Sequence, residues 1–94
     1  MVIGTAEMVF RAEWVSSLKE KRMVCRSLIE RTRHKFNVSV GETGTQEEHK
    51  LLTIGFACVT NEVRHADTMI QRIVGFMEKS TQAEIISIDT EIIS

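Results

Sequence analysis

Four cations, Lys19, Arg22, Arg26 and Arg33, recur at i, i+3, i+7 and i+14. On an α-helix that spacing puts all four within an arc of about 60° and in a row roughly 20 Å long. Such a row can meet several phosphates of a polyanion, each contact releasing condensed counterions and making the affinity salt-dependent. The competing reading is a solvated face on which Arg26 pairs with Glu30 at i, i+4. Asn61, Arg64 and His65 form a second group at the start of a later helical pattern. Asn61 is a candidate helix cap, and cations beside the unpaired amides of a helix start suit a bound anion.

Other reactive side chains are not arranged for catalysis or for metal. Cys25 and Cys58 are too few and too far apart for a disulfide framework or a zinc motif, so both read as reduced, buried thiols. His34, His49 and His65 fall in separate segments without ligand spacing. No cofactor motif and no nucleophile-base pattern is present. Phe10 and Phe56 are the aromatics available on the first and third strands, and Phe10 alternates with the apolar set, which disfavours base stacking on a sheet. Trp14 is expected to anchor its loop against the core rather than to stack on a ligand.

The elements that carry these residues follow from periodicity. Residues 2–13 alternate apolar and polar, the period of a half-buried strand. Ser17 and Glu20 form a capping-box pattern that opens a helix over 18–35, whose buried stripe is Leu18, Cys25, Leu28, Ile29, Thr32 and Phe36. Residues 36–42 alternate again. A polar, glycine-containing stretch over 43–50 has the composition of a mobile hairpin connection. Residues 51–59 are nearly all apolar, as a central strand requires. Thr60 or Asn61 is placed to cap a helix over 62–79, and 84–93 alternates as a last strand.

The order is β-α-β-β-α-β, an α+β fold of ferredoxin-like type with a four-stranded antiparallel sheet and both helices on one face. Strands one and three are expected to be central and parallel to each other, which starts both helices at one edge of the sheet. On that premise Lys19, Arg22, Asn61, Arg64 and His65 line one anion pocket.

Ninety-four residues with 43% hydrophobic and 27% charged side chains suffice for one folded domain over 1–94. The net charge is −1, but its distribution is polarised. Residues 11–35 hold eight bases and three acids, whereas residues 42–91 hold nine acids and four bases. A polarised surface steers a polyanion to one face even when the pI is below neutral. The first residues lack the pattern of a signal peptide and no run is long enough for a membrane span, so a cytoplasmic location without membrane contact is expected.

The chain resembles the YlxP-like family of small bacterial proteins of unknown function. The resemblance runs nearly end to end through Ser17-Leu18-Lys19-Glu20-Lys21-Arg22, Arg33 with Phe36-Asn37-Val38-Ser39-Val40, and Asn61 with Arg64-His65. It implies a ferredoxin-like fold and a link to RNA or ribosomal particles, because genes of this family often accompany translation and ribosome-maturation factors. The chain departs from the family pattern over residues 43–50, where an aspartate-rich stretch with a tryptophan is common. The function expected is therefore non-catalytic association with RNA or ribosomes through the first helix. Two alternatives remain. One is an acylphosphatase-like phosphate-site enzyme, although the glycine-rich first loop of those enzymes is missing. The other is a regulatory module or homo-oligomer that associates through its open sheet face or an edge strand.

Overall fold

The computed structural model describes residues 1–94. The alternating first segment is β1 (Val2–Arg11), with Val2, Ala6, Met8 and Phe10 buried. It is followed by α1 (Leu18–Lys35), β2 (Ser39–Gly44), β3 (Leu51–Thr60), α2 (Val63–Lys79) and β4 (Glu84–Ile93). The strands form one sheet in the order β2-β3-β1-β4, and every neighbouring pair is antiparallel. Both helices cover the same face. Cys25 and Leu28 of α1 and Ile70, Ile73 and Met77 of α2 share one core cluster with Met8, Phe10, Ile54 and Phe56.

Ser17 caps α1, its Oγ accepting from the Glu20 amide at 3.1 Å. The returning Glu20 carboxylate accepts from the amide of Ser16 at 2.9 Å, one residue before the cap. The other end of α1 closes at Phe36, whose backbone is extended and whose amide bonds Thr32 O. Phe36 is thus a helix terminus rather than the first residue of a strand. Its ring meets Phe76 edge-on at 5.5 Å, tying α1 to α2. Strand β1 stops at Arg11 because the Ala12 amide turns to Lys50 O and the Val15 amide to Ala12 O. Ala12 and Val15 are fully buried, whereas Trp14 between them is 48% exposed. The loop is anchored by the two aliphatic residues and not by Trp14.

Neither candidate caps α2. Its N-cap is Glu62, without a side-chain bond, and the Thr60 hydroxyl instead meets His65 Nδ1 at 2.9 Å. A carboxylate at this position still favours the helix through its dipole. The helix lies close to β1 because residue 4 is glycine. A Cβ there would stand 3.1 Å from Ile70 Cδ1 and 3.2 Å from Cys58 Sγ.

The two central strands run antiparallel rather than parallel. Val2 faces Thr60 and Arg11 faces Leu51. The crossover through α1 sends β2 in the same direction as β1, and the hairpin then reverses β3 against both. Helix α1 therefore starts at the end of the sheet where β3 begins, and α2 starts at the opposite end. Neither helix is long and apolar enough to cross a membrane.

Candidate functional site

Lys19, Arg22 and Arg26 lie exposed on one face of α1. The protein has two ion pairs, Arg11 with Glu13 at 3.5 Å and Lys21 with Glu42 at 2.8 Å, so none of the three cations is neutralised by an acid. The pairing of Arg26 with Glu30 does not form. Arg33 shares the arc but serves the scaffold, its Nη2 donating to Val40 O of β2 at 3.1 Å. Trp14 is 48% exposed in the loop that leads into α1, five residues before the first cation of the row.

Asn61, Arg64 and His65 are also exposed, but at the far end of the sheet. With β1 and β3 antiparallel, a ten-residue strand of about 3.3 Å rise per residue separates the starts of α1 and α2. The pocket expected from Lys19, Arg22, Asn61, Arg64 and His65 does not exist.

A buried polar cluster underlies the stripe. Lys21 is fully buried, and its Nζ donates to Thr45 O at 2.8 Å and Gln46 O at 3.3 Å while contacting Glu42 Oε2 at 2.8 Å. The last contact is coulombic rather than a directed hydrogen bond, since Glu42 Oε2 has no hydrogen-bond partner. Cys25 lies one turn further along α1. Burial and the Glu42 carboxylate push its thiol up from 9.0 to about 11, with Lys21 opposing. A thiol so protonated is a poor nucleophile at neutral pH.

This cluster fixes the segment before β3. Thr45 adopts a left-handed backbone with φ 52, costly for a β-branched residue. Its hydroxyl is bonded to Gly44 O and to Thr53 Oγ1, both at 2.8 Å. At the other end of the turn, Lys50 Nζ donates to Glu13 O at 2.6 Å and Val15 O at 2.9 Å. The connection expected to be loose is fastened at both ends, and its fastening also holds the loop that presents Trp14.

A family model described as "Protein of unknown function (DUF503)" matches residues 3–90. The chain belongs to this family. It is 32% identical over 83 residues to the uncharacterized protein YlxP of Bacillus subtilis (strain 168), covering 88% of this chain and 90% of that one. The solution structure of a de novo designed protein with a ferredoxin fold superposes with a TM-score of 0.56 at 10% identity, covering all of this chain and 86% of the other. That likeness concerns the fold alone.

For this DUF503 chain, the basic row was visible in helical spacing, whereas the Lys21 cluster was not singled out. Its signal was present, because Lys21, Cys25, Leu28 and Thr32 recur at i, i+4, i+7 and i+11, and all four are buried. A lysine in the register of a buried stripe needs a buried acceptor. Only the folding of β2 against α1 shows that Glu42 and the Thr45 carbonyl supply it.

Proposed function

We propose that this protein is a non-catalytic, cytoplasmic RNA-binding protein that associates with RNA or ribosomal particles through the outer face of α1. The observation that carries the reading is the row of Lys19, Arg22 and Arg26, exposed and without acidic partners. Three unneutralised cations on one rigid helix meet successive phosphates without first breaking protein ion pairs. Trp14 extends the surface with a ring on which an unpaired base can stack. Arg33 holds β2 and is left out of the contact set, as are Asn61, Arg64 and His65 at the other end of the sheet.

The test is a titration with single-stranded RNA at several salt concentrations. Trp14 is the single tryptophan, so its fluorescence reports directly on the proposed surface. Substituting Lys19, Arg22 and Arg26 together by Ala is expected to weaken binding and flatten the log-log salt dependence by about two units. A folded triple variant with unchanged affinity and slope removes α1 from the mechanism.

A further inference from the structure

The two edges of the sheet are built differently. Strand β2 has six residues, a register shift between Glu42 and Gly44, and a Val40 carbonyl occupied by Arg33. Strand β4 has ten residues, pairs with β1 along nearly all of its length with one register shift at Ile86, and contains no Lys, Arg or Pro. No backbone bond outside the sheet ladder involves residues 84–93. Ile86 and Ile88 are each 42% exposed there. Native sheets commonly guard an edge of this length with lysine, proline or a covering element, because its outward amides and carbonyls template another strand.

The two faces of β4 have different chemistry. Ile88 and Ile92 stand opposite Met8 and Gly4, on the helix-covered face. Asp89 and Glu91 stand opposite Glu7 and Thr5, on the open face. Glu7 and Asp89 are therefore like charges directly paired across strands, a destabilising arrangement, and no cation lies within ion-pair distance of either. They border a groove of about 770 Å³ whose lining includes Gly41 and Gly55 and no basic residue.

We propose that β4 accepts an extended protein segment as a fifth strand, one whose side chains alternate between basic and apolar. Main-chain hydrogen bonds to the free edge supply affinity, and the alternation supplies specificity. Basic residues of the segment face Asp89 and Glu91 on the open side, and apolar residues cover Ile88 and Ile92 on the other. Charge decides the occupant. A second copy would bring a strand whose charged residues are Glu84, Asp89 and Glu91 with no base to meet the acids of the first, and a nucleic acid would meet only carboxylates. The surface is separate from the α1 row, so its partner and RNA are compatible on one molecule.

The experiment uses the isotope-labelled full chain and three synthetic ten-residue peptides: alternating Val and Lys, the same composition with the lysines grouped at one end, and alternating Val and Glu. The alternating basic peptide is expected to shift and protect amides of residues 84–93, binding about tenfold more tightly than the grouped peptide. Ile88→Lys is expected to abolish this binding. The double substitution Asp89→Lys with Glu91→Lys, at exposed positions, is expected to transfer the preference to the Val-Glu peptide, and it carries the test should Ile88→Lys not fold. Equal binding of grouped and alternating peptides, or shifts outside β4 and the strand beside it, overturns the proposal. So does a dimer by sedimentation equilibrium that Ile88→Lys dissolves, or a short RNA that shifts the β4 amides.

Discussion

The Nζ of Lys21 stands 2.8 Å from Oε2 of Glu42, with the lysine side chain wholly buried and the glutamate side chain 22% exposed. Taking an ammonium out of water is unfavourable unless its protons are used, and the carbonyls of Thr45 and Gln46 use them. A charge on α1 is thereby tied to the turn that carries β2 into β3. The exposed basic row and the buried lysine sit on one helix but serve different ends, one facing a partner and the other holding the scaffold.

Removing one member of this pair leaves the other charge uncompensated. Lys21→Met is expected to destabilise the protein by about 2–4 kcal/mol, measured by urea denaturation. Lys21→Met combined with Glu42→Leu is expected to recover at least about half of that loss, giving a coupling energy of opposite sign to the single effects. Additive losses in the cycle would show that the two side chains do not interact.

The raised thiol of Cys25 makes stability depend on alkaline pH. Below pH 9 it is protonated in both the folded and the unfolded chain, and its contribution is complete. Between pH 9 and about 11 the unfolded chain releases the proton first, so stability falls, by on the order of 2–3 kcal/mol across the window. Urea midpoints followed from pH 8.5 to 10.5 are expected to decline more steeply in the native protein than in Cys25→Ala. Parallel declines would assign the alkaline loss to other groups.

Arg33 separates scaffold from surface within one arc of α1. Arg33→Ala is expected to cost about 1–2 kcal/mol of stability, since the Val40 carbonyl loses a charged donor. It is expected to leave the salt dependence of RNA binding unchanged, whereas Arg22→Ala lowers that slope by about 0.7 with little effect on stability. Thermal melts and RNA titrations on the two variants check both halves.

Gly4 governs the approach of α2 to β1. Gly4→Ala places a Cβ 3.1 Å from Ile70 Cδ1 and 3.4 Å from Ala66 Cβ and is expected to destabilise by about 1–3 kcal/mol. Gly41→Ala, which meets nothing within 4 Å, is expected to stay within about 0.5 kcal/mol of the native protein. Denaturation of the pair distinguishes overpacking at Gly4 from the general effect of adding a methyl group to a strand.

Local pattern alone determined the order of elements and most of their bounds. The alternation of β1 and β4 and the Ser17 cap of α1 depend on chain neighbours; β4 and the cap formed where their spacing placed them, while β1 stopped at Arg11, two residues short of the alternating stretch. The Lys19, Arg22 and Arg26 row was legible for the same reason, since a single helix fixes angular position. Phe36 was misplaced because an extended residue that ends a helix and one that begins a strand have the same local signature, and packing against Phe76 decides between them. The relation of the two helix starts was already implied by the order of elements, and the expectation of parallel central strands went against it. The direction of β3 against β1 is set by a crossover and a hairpin acting together, and it moved Asn61, Arg64 and His65 away from Lys19. Tertiary structure alone decided which groups meet the buried Lys21, because an acid and two carbonyls more than twenty residues along the chain must be folded onto α1 before a buried ammonium is stable.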